Sequence, residues 1–341
     1  MKKLLYRHET YVFLAIIIFI TVVSVINPAF LTLENLFDLL KSVSLMGTFA
    51  IGMLFVLISG GIDISFTAIA TVSGYTIAVL LLRIGYHLNI FLVFLIAAVI
   101  GIALGLINAL IIHNFKIPSI ITTIATQNIF YGILMVITNG TWLYGFPVWF
   151  GDFATIRVFT FYTKGGLPFG LSIVTVIWIL LILISWFILK YTVLGRGIYA
   201  MGGNTLSAKR AGFNLFRLTM FVYGWMGLMA GIGSVIQALL VQTVAPNSLV
   251  GKEMDVIAAV VLGGASLAGG RGSVLGMILG VTLISLLSNG MTIMRVPAVW
   301  YDVVIGLVII ISAGASAYRR KIFTRRKVIT EQPSAGGQSA T

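Results

Sequence analysis

The residue types that perform catalysis or bind metals are rare in this chain. It has no cysteine, which excludes disulfides, thiolate metal sites and cysteine nucleophiles. Three histidines, His8, His87 and His113, lie far apart at the ends of apolar runs, without metal-ligand spacing or a nearby pair of carboxylates. No G-x-x-x-x-G-K-S/T loop is present, so we expect no nucleotide-binding site on this chain. The sequence therefore predicts no catalytic residue and no metal site, and it does not favour a membrane enzyme.

One acidic residue stands between apolar runs. Asp63 lies in the stretch GGIDIS (60–65), where two glycines can interrupt a helix. A carboxylate at membrane depth costs several kcal/mol unless it is paired or hydrated, which makes Asp63 a candidate for a translocation pathway. The alternative is a helix N-cap at the membrane interface, assisted by Ser65. Both interpretations remain open.

Amides and hydroxyls lie within or beside the apolar runs, and such groups bind neutral solutes. Thr122 and Thr126 share one helical face, and the pair Gln127-Asn128 is costly to leave facing lipid. The residues that we predict to line a pathway are Asp63, Asn108, Thr122, Thr126, Gln127, Asn128 and Asn289. For each of them except Asp63 the alternative is a hydrogen bond between helices, worth about 1 kcal/mol.

A second group of residues is predicted to meet a protein outside the membrane. Glu253 and Asp255 begin an apolar run at its predicted outer edge, where they either favour the helix N-terminus or dock a basic patch of a partner. Trp142 and Tyr144 belong to an aromatic loop, 138–170, which is explained by an interfacial belt or by contact with the same partner. We therefore predict docking at Trp142, Tyr144, Glu253 and Asp255.

These groups must be positioned by an integral membrane protein. Of 341 residues, 59% are hydrophobic and 9% charged, and the mean hydropathy is +1.09. Because a spanning helix needs about 20 apolar residues, we predict an all-α polytopic protein with about ten transmembrane helices. The predicted spans are 12–29, 43–59, 64–82, 90–112, 119–137, 171–189, 219–240, 254–268, 273–288 and 298–316.

Basic residues predict the orientation of these spans. With ten spans and both termini in the cytoplasm, 16 of the 22 Lys and Arg residues lie on the cytoplasmic side. The net charge of +13 is explained in this way, and we expect no nucleic-acid partner. The patterns KIPS (116–119) and RVPA (295–298) precede the fifth and tenth spans from opposite sides, which fits an inverted repeat.

We predict two regions along the chain. Residues 1–318 form the transmembrane domain, and residues 319–341 form a cytoplasmic tail that is first basic and then disordered. The basic part of the tail is suited to anchoring at anionic lipids.

The largest cytoplasmic loop on this topology, 190–218, contains the stretch YAMGGNTLSAKRAGFN (199–214). Asn204 suits an N-cap and Gly212 a left-handed C′ position, which predicts a short helix between them. Gly202-Gly203 would allow a sharp reversal before this helix. Such a helix is suited to a groove on another protein, and a solvated connecting loop is the alternative.

The stretch 199–214 resembles the cytoplasmic coupling segment of permease subunits from ATP-binding-cassette (ABC) importers for ribose, galactose, xylose and related compounds. Three further stretches agree in order: LISGGIDIS (57–65), KIPSIITTIAT (116–126) and DVIAAVVLGGASLAGGRGSVLG (255–276). The resemblance covers roughly 15–318. In NGTWLYGFP (139–147) the chain is more similar to the autoinducer-2 and rhamnose branches.

This resemblance implies a permease subunit in a bacterial cytoplasmic (inner) membrane that moves a sugar or sugar-like solute. It implies three partners: an ABC ATPase subunit that binds ATP and Mg, an external solute-binding protein, and a second permease chain, identical or related. No cofactor is expected on this chain itself. The residues implied in ATPase coupling are Tyr199, Gly202, Gly203, Asn204, Ser207, Ala208, Lys209, Arg210 and Gly212.

One departure of the chain from the family bears on the solute. After GGIDIS the family commonly continues with valine, glycine and serine, but Phe66 and Thr67 follow in this chain, so the solute class of the ribose-type members does not carry over directly. From the residues alone, a secondary transporter or channel for a small polar solute is the alternative function. A secondary carrier would move its solute without an ATPase, which separates the two hypotheses.

Overall fold

The computed structural model describes residues 8–163, 165–297, 299–307 and 310. The helices are α1 (His8–Ile26), α2 (Leu33–Ile58), α3 (Phe66–Ile84), α4 (Ile90–Phe115), α5 (Ser119–Thr138), α6 (Val148–Thr155), α7 (Ile173–Tyr191), α8 (Val193–Gly203), α9 (Thr205–Arg210), α10 (Leu215–Val241), α11 (Lys252–Leu262) and α12 (Val274–Ile293). The strands are β1 (Leu143–Tyr144), β2 (Arg157–Tyr162), β3 (Pro168–Ser172) and β4 (Thr243–Val244). Short 3-10 helices span Pro28–Leu31 and Gly85–His87.

The chain divides into two units after Val296. In the second unit, residues 299–307 are helical. The predicted tail, 319–341, and the last part of the tenth predicted span lie outside the described residues, so those predictions are unchanged.

Eight helices within the described residues are long and apolar enough to cross a bilayer: α1 to α5, α7, α10 and α12. They coincide with the first seven predicted spans and with the ninth, which confirms the all-α polytopic fold class. The total of ten spans, the inverted repeat and the cytoplasmic location of both termini stay predictions. Two short antiparallel pairs, β1 with β4 and β2 with β3, were not predicted.

The sequence leaves open whether the eighth predicted span, 254–268, crosses fully or breaks at Gly263-Gly264, and in the structure its helix ends at this glycine pair. The eleven residues of α11 reach only about 16 Å at 1.5 Å per residue, well short of the roughly 30 Å hydrocarbon core. The helix ends at Gly263-Gly264, where Gly264 has a φ of 95°. A Cβ on Gly263 would lie 2.2 Å from the Gly276 carbonyl oxygen, so α11 and α12 meet backbone to backbone at this point.

Close backbone contact also joins α4 and α10. Gly101 of α4 faces Gly227 and Gly231 of α10, and a Cβ on Gly101 would lie 2.1 Å from the carbonyl oxygen of Gly227. The four-residue glycine spacing puts these positions on one face of each helix, which permits this approach. Helix α2 is buried almost continuously from Gly47 to Ile58 and forms part of the same core.

The helices alternate between two ends of the bundle. One end carries the connection 59–65, the start of α5, the segment α8–α9 and the loop 263–273, and we call it the coupling end. Two hydrogen bonds connect segments at this end, one from Ile62 N to Ser119 Oγ (3.0 Å) and one from Ser273 Oγ to Glu9 Oε1 (3.1 Å). The other, the hairpin end, carries α6 and the strands, and there Trp149 Nε1 donates to Gly85 O (3.0 Å).

We predict that Gly101→Ala lowers the stability of the detergent-solubilised protein by about 1–3 kcal/mol, because its methyl group must push α10 away. The matched control is Gly132→Ala on α5, where an added Cβ meets no atom within 4 Å. Thermal unfolding followed by tryptophan fluorescence measures both variants. Equal midpoints for the two would contradict close backbone packing of α4 against α10.

Candidate functional site

The segment α8–α9 is shaped by local hydrogen bonds at its helix ends. Asn204 Oδ1 accepts from Ser207 N (2.9 Å) and caps α9. At the other end Gly212 has a φ of 87°, its N donates to Lys209 O (3.0 Å), and Phe213 N donates to Ala208 O (3.1 Å). This pair of bonds is a Schellman motif. The predicted N-cap and left-handed C′ position are therefore confirmed.

The resemblance implies Ala208 in ATPase coupling, but this residue is not on the exposed face of α9. Ala208 is only 2% exposed and packs against its own chain. Leu206 is 70% exposed and lies beside the exposed Lys209 and Arg210. On a helix with 100° per residue, Leu206 and Ala208 point to opposite sides. The sequence did not identify Leu206 as exposed, because a short helix with apolar residues on both sides could have turned either Leu206 or Ala208 toward the bundle.

Three backbone segments meet behind α8, and we call this contact the glycine junction: Ile58, Gly60, Gly202, Gly269 and Gly270. Gly270 N donates to Ile58 O (2.8 Å). A Cβ on Gly202 would lie 1.8 Å from that same oxygen, and one on Gly269 would lie 2.7 Å from the Cα of Gly60. No side chain separates the segments, so a displacement of one must displace the others or open the junction.

The predicted reversal at Gly202-Gly203 is wrong. Both glycines are the last residues of α8, neither has a positive φ, and the helix ends at Asn204. Gly202 is needed for backbone contact, whereas a Cβ on Gly203 would meet nothing within 4 Å. Tyr199 strengthens the same contact, since its hydroxyl donates to Gly272 O (2.8 Å).

The connection 59–65 leads from the glycine junction into the bundle. Ile62 N donates to Ser119 Oγ (3.0 Å), and Ile64 N donates to Thr123 Oγ1 (3.2 Å). These bonds attach the connection to the first turns of α5. The start of α5 is therefore linked through 59–65 to the coupling segment.

Asp63 is fully buried in this connection, between α2 and α3. Its Oδ1 accepts from Ser65 N (2.8 Å) and Ser65 Oγ (2.6 Å), and Asn108 Nδ2 donates to the same hydroxyl (2.7 Å). Within the described residues Asp63 Oδ2 and Asn108 Oδ1 have no hydrogen-bond partner. Burial raises the pKa of the Asp63 carboxyl to about 6, against a lowering by the bonds from Ser65.

The other predicted pathway residues lie in different environments. Thr122 and Thr126 are buried on one face of α5, and Gln127 is half-buried beside them. Asn128 is exposed on a different face and donates to Ile124 O (2.9 Å). Asn289 exchanges hydrogen bonds with Asn35 (3.0 and 3.2 Å), which supports the helix-packing alternative for that residue.

Glu253 occupies the interior and not an outer edge, so its predicted exposure to a docking protein is wrong. It is 4% exposed, in the first turn of α11. Its Oε1 accepts hydrogen bonds from Thr67 Oγ1 and from Gln127 Nε2, the second at 2.6 Å. The misplacement has a physical reason: residues 242–251 follow α10 without forming a helix, so α11 starts against α3 and α5.

Of the remaining docking residues, Trp142 and Tyr144 are exposed, whereas the side chain of Asp255 is only 14% exposed. Trp142 is 60% and Tyr144 71% exposed, and Tyr144 lies in β1, which pairs with β4. Asp255 bonds Lys252 (3.2 Å). A surface pocket that the sequence did not indicate lies at the hairpin end, with Glu34, Asp38, Lys41 and Arg157 among its lining residues.

Comparison with known proteins places this arrangement in a family. Residues 35–313 match the family described as branched-chain amino acid transport system / permease component. The chain belongs to this permease family. It is therefore a transport subunit and not an enzyme, as predicted.

Several curated proteins are similar to this permease over most of their length. It is 32% identical to the ribose import permease protein RbsC of Escherichia coli K12 over 302 residues, 88% of this chain and 90% of the relative. Identity to RbsC of Bacillus subtilis is 34% over 300 residues, again 88% and 90%. Identity to the autoinducer 2 import system permease protein LsrC of Enterobacter sp. 638 is 30% over 311 residues, 91% and 87%. No solved structure gave a significant match.

These relatives confirm the predicted class of protein. The permease is the membrane subunit of an ABC importer and resides in the bacterial inner membrane. Membership in the family implies an ATPase and a solute-binding protein as partners.

The raised pKa of Asp63 gives a test of its environment. The folded chain binds the proton of the Asp63 carboxyl more tightly than an exposed aspartate with a pKa of 3.8 does. Protonated Asp63 therefore contributes fully to the stability of the fold below about pH 4, and this contribution is lost as the pH rises through about 6. Asp63→Asn keeps an acceptor for Ser65 and does not titrate. We expect the stability of this variant relative to the unsubstituted chain to increase between pH 4.5 and pH 8.

Thermal unfolding in detergent at several pH values measures this difference. Asp152→Asn, at an exposed position, controls for the loss of one carboxylate. A constant deficit of Asp63→Asn across the pH range would show that the carboxylate is stabilised as an anion, which would contradict a pKa raised by burial.

Proposed function

We propose that this permease carries a sugar or sugar-like solute across the inner membrane, driven by ATP and Mg bound on a separate ATPase subunit. The observation that carries the proposal is the glycine junction. In it Gly202 of α8, the helix directly before the exposed α9, contacts the backbone of Ile58, which precedes the connection 59–65. ATP-driven movement of the ATPase subunits would reach the first turns of α5 through this contact.

The contact surface for the ATPase is the exposed part of the coupling segment. Leu206 supplies an apolar anchor, and Lys209 and Arg210 supply positive charge around it. Asn204 and Gly212 set the ends of α9, with Ser207 N held by the cap. Tyr199 and Gly202 belong to the inner side of the segment and transmit its movement. Ala208 acts by holding α9 against the chain.

The solute class is inferred from the relatives and from the groups in the bundle. The named relatives are import permeases for ribose and for autoinducer 2. The polar groups at the α3, α5 and α11 contact are a hydroxyl, an amide and a carboxylate, all of which can form hydrogen bonds with a solute that has many hydroxyl groups. Thr122, Thr126 and Gln127 on α5 are the pathway residues that the structure favours.

A second permease chain, identical or related, is part of the proposal. The outer face of α5 exposes large apolar side chains such as Ile129, Ile133 and Ile137, beside the exposed Asn128. An amide within an apolar face suits contact with another helix better than contact with lipid.

The solute-binding protein would dock at the hairpin end. Trp142 and Tyr144 provide exposed aromatic surface there, and the pocket with Glu34, Asp38, Lys41 and Arg157 provides charged groups of both signs. Asp255 remains a docking candidate, whereas Glu253 does not.

Affinity purification of the tagged permease from its own host in mild detergent tests the partner assignment. We expect a nucleotide-binding subunit to be recovered, lost in Leu206→Asp and retained in the conservative control Leu206→Met. Recovery of a companion permease, or its absence, decides between heterodimer and homodimer. A chain that purified alone and transported solute in liposomes would contradict the proposal and favour a secondary carrier.

Adjacent glycines provide a matched test of coupling. We predict that Gly202→Ala strongly reduces ATPase stimulation by the loaded binding protein, because its methyl group cannot coexist with the Ile58 carbonyl. Gly203→Ala should retain stimulation, since the added methyl meets no atom. Both variants should still co-purify with the ATPase subunit. Equal stimulation in the two would show that the glycine junction is not the route of coupling.

A further inference from the structure

The carboxyl group of Glu253 lies among three helices. Thr67 belongs to the first turn of α3, Gln127 to the middle of α5, and Glu253 to the first turn of α11. Both hydrogen bonds to Glu253 use Oε1. Oε2 takes part in neither bond, so acceptor capacity remains for a ligand that donates a hydrogen bond.

A second unused group lies next to this carboxylate. Tyr131 follows Gln127 by one turn of α5, and its hydroxyl is buried beside Thr67 and Thr71. The hydroxyl has no hydrogen-bond partner of ordinary geometry within the described residues. Leaving such a group unpaired costs about 1–3 kcal/mol, which a bound hydroxyl would recover.

A small cavity lies one turn further along α3, and Glu253, Gln127 and Tyr131 are not among the residues that line it. Thr71 follows Thr67 by one turn of α3 and lines this cavity with Ser234, Gln237 and Ser248. Thr71 Oγ1 donates to Thr67 O (2.7 Å), which leaves its acceptor lone pairs unused. Thr71 therefore lies between Thr67, which bonds Glu253, and the cavity that Ser234, Gln237 and Ser248 line.

We infer that Glu253, Gln127 and Tyr131 form a binding site for the hydroxyl groups of a polyhydroxylated solute inside the bundle. Glu253 Oε2 accepts from one solute hydroxyl, and the phenol of Tyr131 bonds another. Gln127 and Thr67 hold the carboxylate in position. The inference rests on the proposed transport of a sugar-like solute and assigns Glu253 to solute binding.

The absence of cysteine from the chain permits a direct test. Single variants Gln127→Cys and Tyr131→Cys are treated with a water-soluble, membrane-impermeant methanethiosulfonate in membrane vesicles that contain the complete importer. The matched control is Ile133→Cys, on the exposed apolar face of α5. We expect both site cysteines to react several-fold faster than the control cysteine. Reaction of both at the control rate would overturn the site.

Protection from the reagent tests the chemical class of the ligand. D-ribose at high concentration should slow the reaction at Gln127→Cys, which keeps Glu253, Thr67 and the Tyr131 phenol, whereas equimolar glycine betaine, which has no hydroxyl, should not. Introducing Glu253→Gln replaces the Oε2 acceptor by a donor and should abolish protection without slowing the reaction itself. Protection by betaine, or none by ribose, would contradict a hydroxyl-binding site.

The same preparations separate this inference from the proposed function. Recovery of the ATPase subunit with each cysteine variant reports on assembly and coupling, because none of the substituted residues lies in α8 or α9. A permease that lost its ATPase partner but kept fast, ribose-protected labelling would refute the coupling proposal alone. Normal ATPase recovery with labelling at the control rate would refute the site alone.

Discussion

The Ile58 carbonyl is the point on which the coupling end depends. It accepts a hydrogen bond from Gly270 and lies against the Cα of Gly202, so α2, α8 and the loop before α12 meet through their backbones. Backbone contacts of this kind have little freedom to adjust, because there is no side chain to change rotamer. A movement imposed on α8 is therefore passed to the connection 59–65 or breaks the junction.

The connection 59–65 distributes that movement to the bundle. Ser119 and Thr123 bond its backbone to α5, and the bonds between Asp63, Ser65 and Asn108 tie it to α4. The same connection leads into the first turn of α3, where Thr67 meets Glu253. A continuous set of packed contacts thus runs from the exposed face of α9 to the polar groups of the bundle interior, as alternating access between two packings requires.

Local features of this fold could be predicted from the sequence, and long-range ones could not. Apolar runs of adequate length predicted the eight helices that can span a bilayer. The caps at Asn204 and Gly212 depend on residues only a few positions away. The end of α11 is also set locally, because Gly264 is left-handed and the bonds from Gly264 N to Val261 O and from Ala265 N to Val260 O close a Schellman motif. The backbone contact of Gly263 with Gly276, in contrast, is long-range. The burial of Glu253 and Ala208 and the role of Gly202 likewise depend on other helices. Neighbouring small residues such as Gly202 and Gly203 look alike in sequence, although an added Cβ would meet another backbone only at Gly202.

Hydrogen–deuterium exchange of the complete importer, with and without ATP, is the decisive measurement for coupling through the glycine junction. We predict that ATP changes amide exchange in residues 199–214 and in residues 58–65 with the same dependence on nucleotide concentration, because the two segments share this junction. A change in residues 199–214 while residues 58–65 and the first turns of α5 exchange as before would contradict coupling by this route.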